Sequence, residues 1–120
     1  MSVASKLQIK PGQRVVVLRK PDGVEIDGTS SGAVEDVAAA DGAMVFVTAA
    51  ADLAAPEVEA VLALARRDAL AWVAYPKGGQ LGTDLNRDRL AAHLSQRGVQ
   101  PVRQISVDAT WSALRFRPAG

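Results

Sequence analysis

The chain has no cysteine, one histidine and few aromatic residues. The absence of cysteine excludes disulfides, thiol nucleophiles and cysteine metal sites. The single histidine, His93, belongs to no HxxxH or HExxH pattern, so the sequence predicts no transition-metal site. No apolar run reaches the roughly eighteen residues of a membrane span, and the polar start MSVASKLQIK lacks a signal-peptide core. We therefore expect a cytoplasmic protein that does not contact the membrane.

Positive and negative charges are nearly balanced, with a formal net charge of +1. Their distribution is uneven, because the first twenty residues contain only basic charged side chains, whereas the stretch from Asp22 to Asp68 is mainly acidic. Folding brings separate segments together and can cancel this asymmetry, so the sequence does not favour nucleic-acid binding. The length of 120 residues and the 48% apolar content predict one globular domain spanning residues 1–120.

Three short apolar runs predict strands that are buried on both faces. They are Arg14 to Leu18, Ala43 to Val47 and Leu70 to Tyr75. Apolar residues at helical spacing predict helices over about Pro56 to Arg67 and about Asp84 to Arg97. For the second helix we expect Thr83 or Asp84 as the N-cap, with Asn86 assisting, and Gly98 in the favoured capping position after its end.

Strands that alternate with helices predict a mainly parallel sheet covered on both sides. At the end of the chain, PVRQISVD and TWSALRFRP are separated by a tight connection from Asp108 to Thr110 and predict an antiparallel hairpin. The segment from Glu25 to Gly42 has a weak pattern, for which we expect a short helix or strand near Ala33 to Ala39. The expected fold is an α/β, small Rossmann-like three-layer sandwich with a C-terminal antiparallel hairpin.

Several sequence blocks resemble known families. KPGQRVVVLRKPDG resembles the lead-in and first strand of class I methyltransferases, and DALAWVAYP resembles their fourth strand. LQIKPGQRVVVL, AMVFVTAAADL, LAWVAYPKGG, TDLNRD and PVRQISVDATWSALRFRP resemble the uncharacterised bacterial family called domain of unknown function 3052. The last block is the most specific, since it is long and not reducible to a hydrophobic pattern. This resemblance implies a cytoplasmic bacterial protein with no established activity.

The turn after the first strand is unsuited to a nucleotide cofactor. A dinucleotide or S-adenosylmethionine site needs small residues there, because the backbone must approach the cofactor closely. In a methyltransferase-like pattern the acidic position is Val17 and the first two glycine positions are Arg19 and Pro21, so only Gly23 remains. We therefore expect no cofactor. Arg19 and Lys20 are candidate anion contacts or ordinary solvated charges.

A second candidate site is the loop YPKGGQLGTDLNRD. Ligands of open α/β sheets bind outside the carboxyl ends of the strands, where this loop precedes a helix N-terminus. Its candidate ligand-binding residues are Lys77, Gly78, Gly79, Thr83 and Asn86. The alternative is a mobile connection in which Thr83 or Asp84 caps the helix.

The last strand carries a candidate partner-binding face. Trp111, Arg115 and Arg117 share one side of it, and they are equally compatible with a protein interface and with ordinary packing. His93 is interpreted as a structural histidine, and Asp84 and Asp88 as ion-paired with neighbouring arginines.

The leading functional hypothesis is a non-catalytic Rossmann-like module that binds a partner protein or a small anionic metabolite. It depends on what is missing: no catalytic cysteine, no plausible catalytic triad, no metal cluster and no intact cofactor loop are found in the sequence. Two alternatives remain open. One is a divergent S-adenosylmethionine-dependent methyltransferase-like enzyme, and the other is a self-associating structural protein whose exposed hairpin edge pairs with a copy of itself.

Overall fold

A computed structural model describes residues 3–119 as one six-stranded mixed sheet with α-helices packed against it. Residues 1, 2 and 120, which the predicted domain 1–120 includes, lie outside the described residues. The strands are β1 (Val15–Leu18), β2 (Thr29–Ser31), β3 (Gly42–Phe46), β4 (Leu70–Pro76), β5 (Val99–Ser106) and β6 (Trp111–Pro118). The helices are α1 (Val3–Lys6), α2 (Val34–Val37), α3 (Pro56–Arg66) and α4 (Arg87–Ser95).

The strand order is β2-β1-β3-β4-β6-β5. β1 pairs in parallel with both β2 and β3, and β3 pairs in parallel with β4. β6 is antiparallel to both of its neighbours, β4 and β5. The predicted parallel arrangement of the three buried strands and the predicted C-terminal hairpin are therefore confirmed. The hairpin differs in one respect: its second strand is inserted next to β4, so β5 forms the edge of the sheet.

The core lies on both faces of this sheet, because successive residues of a strand point to opposite sides. On the first face, alternate strand residues such as Val16, Val45 and Leu114 pack against α2, α3 and α4. On the second face, the intervening residues such as Met44 and Trp72 pack against the chain before β1 and the segment between β1 and β2. All four residues of β1 are buried, which explains its continuous apolar sequence.

The cover of the second face differs from the helical layer that we expected. It consists of the four-residue α1 and of irregular chain that contributes Leu7, Val24 and Ile26. The connection from Leu18 to Thr29 is short and contains Pro21 and four glycines or aspartates, at positions 22, 23, 27 and 28, so it does not form a crossover helix. Trp72 links the sheet to this segment, because its Nε1 donates a hydrogen bond to the Leu7 carbonyl at 3.1 Å.

The two predicted long helices are present but shorter than expected. α3 begins at Pro56, as the sequence indicated, and α4 begins three residues later than Asp84. Asn86 is the N-cap of α4, because its side chain accepts a hydrogen bond from the Arg89 amide at 2.8 Å. The expected cap at Thr83 or Asp84 is therefore wrong. The C-cap of α4 is Gln96, and Gly98 lies two residues beyond it in a left-handed conformation with φ +83°.

The uncertain segment from Glu25 to Gly42 contains β2 and α2. α2 falls inside the range Ala33 to Ala39 predicted for a short element, and Asp36 completes a turn by accepting a hydrogen bond from the Ala33 amide at 2.8 Å. Among residues 3–119, no helix combines the length and apolar character needed to cross a bilayer.

Candidate functional site

The carboxyl ends of β1 and β3 meet at the position where a nucleotide would bind in a doubly wound sheet. Arg19 follows β1 and has φ +58°, the left-handed conformation that favours glycine. Its guanidinium forms an ion pair with Asp52 at 3.3 Å. This backbone therefore has the shape expected of a glycine turn, but it carries a large side chain that is already paired.

Asp52 is held in place by several donors. It accepts hydrogen bonds from the backbone amide and the hydroxyl of Thr48, at 2.8 and 2.9 Å, and from the Ala49 amide at 3.2 Å. The Thr48 amide is the main cause that lowers the pKa of Asp52 below its usual value. Lys20, the second basic residue of the turn, lies 3.6 Å from Glu25. The two candidate anion contacts of this turn are thus engaged with acidic residues of the same chain.

A separate cleft of about 230 Å³ opens beyond the carboxyl end of β4. It lies beside the start of α4, on the first face of the sheet. Its lining consists of Tyr75, Lys77, Gly78, Asn86, Arg87, Gln104 and Ser112. Three of the predicted ligand-binding residues, Lys77, Gly78 and Asn86, are therefore brought together.

Lys77 is positioned by the hairpin turn between β5 and β6. Its amide donates to the Thr110 carbonyl at 2.8 Å, and its ammonium group donates to the Ser106 hydroxyl at 2.7 Å. Gln80, which follows in the loop, donates from its side chain to the Ala109 carbonyl at 3.0 Å. Because the Ser106 hydroxyl is uncharged, the positive charge of Lys77 is held at the cleft without being neutralised by this partner.

Arg87 supplies the second positive charge of the cleft. It is the first residue of α4, and 57% of its side chain is exposed. Asp88 lies 3.5 Å from it, but the carboxylate of Asp88 is itself 91% exposed, so solvent screens this ion pair. Asn86 and Arg87 thus present an amide side chain and a guanidinium at the positive end of a helix dipole.

Tyr75 forms the floor of the cleft and is only 3% exposed. Its hydroxyl accepts a hydrogen bond from the Gln104 side chain at 2.8 Å, and Ser112 is its cross-strand neighbour. Burial raises the pKa of Tyr75 above its usual value, so the phenol remains a neutral donor at physiological pH. The cleft therefore combines two cations with neutral hydrogen-bonding groups.

Two predicted ligand-binding residues of the loop do not line the cleft. Gly79 adopts φ +76° at the start of a 3-10 turn, Gln80–Gly82, where a left-handed residue is required. The Thr83 hydroxyl accepts a hydrogen bond from the Leu85 amide at 3.0 Å and so fixes the approach to α4. Their observed contacts are structural.

The sequence reasoning missed four residues of the cleft: Tyr75, Arg87, Gln104 and Ser112. Tyr75 looked like an ordinary core residue of a buried strand, and Arg87 like an ion-pair partner. Gln104 and Ser112 lie on the hairpin, about thirty residues away in sequence, and join the cleft because β6 is inserted beside β4. A signal was present, since both are polar residues on the hairpin face that also carries Leu114 and Phe116.

The predicted partner-binding face is corrected at Trp111. Trp111 is 4% exposed and packs edge-to-face on Phe46, with ring centroids 5.0 Å apart. It belongs to the core of the second face and offers no surface to a partner. Arg117 forms a two-point ion pair with Asp68, at 2.8 and 3.0 Å, and the guanidinium of Arg115 contacts the Gln8 side chain.

The remaining polar candidates have structural surroundings. His93 is exposed on α4, and Asp84 accepts a hydrogen bond from the Ala50 amide at 2.9 Å. Within residues 3–119, no group of three or more metal-ligating side chains is clustered.

Comparison with protein-family models gives no match, and comparison with curated protein sequences gives none either. The resemblance to domain of unknown function 3052 therefore stays a prediction.

Proposed function

We propose that the protein is a non-catalytic binding module and that it binds a small anionic metabolite in the cleft beside α4. One observation carries the proposal: Lys77 and Arg87 face the same cleft, and no carboxylate belongs to its lining among the described residues. A negatively charged group would be attracted by both cations and by the positive end of the α4 dipole, whereas a cation would be repelled.

The chemistry of the cleft favours a phosphate or carboxylate group. The Arg87 guanidinium is a planar donor, Lys77 is a point charge, and Gln104 and Tyr75 supply neutral hydrogen-bonding groups. The cleft has a volume of about 230 Å³, whereas pockets for drug-sized ligands have about 300–1,000 Å³. It therefore suits a small ligand or one end of a larger ligand. Gly78 leaves open space, since an added Cβ would meet nothing within 4 Å.

The scaffold that carries this cleft is, in our proposal, Rossmann-like and related in topology to class I methyltransferases. Two observations support this. The antiparallel β6 is inserted beside β4, and β5, which is antiparallel to β6, therefore runs in the direction of β4. Arg19 retains the left-handed backbone of the glycine that such a fold would carry after its first strand.

The same topology favours one rival function, a divergent S-adenosylmethionine-dependent enzyme. The Arg19 side chain argues against this function, because it is paired with Asp52 at the end of β1, where the cofactor of such enzymes would approach. We expect S-adenosylmethionine and NAD to give no saturable heat in calorimetry. Micromolar binding of either cofactor would overturn the proposal of a non-catalytic module.

A second rival is self-association through the sheet edge. β5 is eight residues long and has no strand on its outer side in the described part of the chain. Its Pro101 and the register shift that follows it interrupt the row of backbone donors, which opposes edge-to-edge pairing. The molecular mass in solution decides this point, and we expect the mass of a monomer, 12.6 kDa.

The experiment that tests the proposal compares anion affinities of matched variants. Inorganic phosphate, nucleotides and small carboxylates are titrated against the wild-type protein, Lys77→Ala and Arg87→Ala. The control is Arg14→Ala, which removes an exposed arginine at the amino end of β1, whereas the cleft lies at the carboxyl end of β4. Loss of a charge-assisted contact weakens binding by about tenfold or more, so the two cleft variants should lose affinity and the control should not. Equal weakening in all three would show ordinary surface electrostatics.

A further inference from the structure

A second polar cavity, of about 320 Å³, lies at the amino ends of β3 and β4, whereas the cleft described above lies at the carboxyl end of β4. It is bounded by the chain just before β3 and β4 and by the segment that follows α1. The side chains that matter here are those of Gln8, Lys10, Asp41, Asp68 and Arg115. No part of the cleft beside α4 contributes to it, so the two sites are independent.

Arg115 is the unusual member of this cavity. It stands in the interior of the sheet, opposite Trp72 on β4 and Arg103 on β5. One of its terminal nitrogens donates to the Gln8 side-chain oxygen, while its Nε is buried and has no hydrogen-bond partner among the described residues. Burial is the main cause that lowers the pKa of Arg115 below its usual value, because the charged form loses solvation.

The two acids of the cavity are occupied elsewhere. Asp68 is bound at two points by Arg117, and Asp41 accepts a hydrogen bond from the Arg14 amide at 2.7 Å. Within residues 3–119, Arg115 itself forms no ion pair, and its observed partner is the neutral amide of Gln8. Partly buried arginines are normally paired with a carboxylate or phosphate, because a guanidinium matches such groups with two parallel hydrogen bonds.

We propose that Arg115 binds the carboxylate of a small monoanionic molecule, which replaces the Gln8 side chain as the partner of the guanidinium. Gln8 is exposed and follows α1, so its side chain can leave without disturbing the core. The preference for one negative charge follows from Asp41, whose partner is the neutral Arg14 amide and whose charge therefore repels a dianion more strongly than a monoanion.

A first test introduces a carboxylate next to Arg115 by substitution of Gln8. Gln8→Glu places it against Arg115, and we expect a higher midpoint of thermal unfolding than in the wild type. The matched control is Gln13→Glu, which adds the same charge to the same cavity; Gln13 accepts a hydrogen bond from the Lys10 amide and does not contact Arg115. If Gln8→Glu is no more stable than Gln13→Glu, the guanidinium does not need an anion and the proposal is wrong.

A second test uses external anions at matched ionic strength. Acetate should shift the Nε–H resonance of Arg115 in a saturable way, and inorganic phosphate should do so less. Gln8→Glu should abolish the effect of acetate. Arg115→Lys should weaken acetate binding about tenfold, because a lysine keeps the positive charge but cannot donate the two parallel hydrogen bonds of a guanidinium. Arg14→Lys changes an exposed arginine that lines neither site, and it should leave the acetate response of the Arg115 Nε–H resonance unchanged. Stronger binding of phosphate than acetate, or an unaltered response in Gln8→Glu, would overturn the proposal.

Discussion

Gly42→Ala tests the packing between β3 and β4. Gly42 lies directly opposite Leu70 in the register of these strands. A Cβ added to it would be 2.7 Å from the Leu70 Cβ and 2.8 Å from the Leu70 carbonyl oxygen, both closer than real contacts allow. The clash involves backbone and not the flexible end of a side chain, so the strands must separate. Overpacking of this kind costs about 1–3 kcal/mol.

The assay is urea unfolding followed by circular dichroism, which reports the free energy of unfolding of each variant. Gly78→Ala is the matched control, because it introduces the same methyl group where nothing lies within 4 Å. We expect Gly42→Ala to be less stable by about 1–3 kcal/mol and Gly78→Ala to be unchanged or slightly more stable. Wild-type stability of Gly42→Ala would show that β3 and β4 are not paired in this register.

Three further predictions concern the elements that surround the sheet. Asn86→Ala removes the N-cap of α4 and should cost about 0.5–2 kcal/mol in the same unfolding assay. Trp72→Phe leaves the buried Leu7 carbonyl without its donor and should cost about 1–3 kcal/mol, with faster amide hydrogen exchange in the segment around Leu7. Glu59, whose pKa is lowered to about 2 chiefly by its hydrogen bond from Arg66, should contribute stability above its ordinary value of 4.5. That contribution should be lost as the pH falls from 4.5 towards about 2, so thermal midpoints of wild type and Glu59→Gln should converge there.

The strands and long helices could be predicted from sequence because each has its own local signal. Runs such as Val15–Leu18 are apolar at every position, which suits a strand covered on both faces. α3 carries proline at its start and an apolar stripe at helical spacing. Such signals depend only on residues that are close in sequence, so the strands and helices that they predict are found in the structure.

The sheet order and the residues of the cleft depend instead on contacts between distant segments. Nothing near Trp111 indicates that β6 lies between β4 and β5, although this insertion buries Trp111 against Phe46 and brings Gln104 to Tyr75. A tryptophan followed by arginines on a strand looks the same in sequence whether the strand is central or at an edge. The loop at Lys77 was found because a helix start after a strand is itself a local signal.

The most direct test of the proposed function is a map of backbone amide shifts during titration with inorganic phosphate. Our account predicts saturable shifts concentrated at residues 77–87 and at Gln104, and their loss in the double variant Lys77→Ala, Arg87→Ala. Weak, non-saturating shifts spread over the 14 basic residues would contradict it, because they would mean that the cleft attracts anions no better than the rest of the surface.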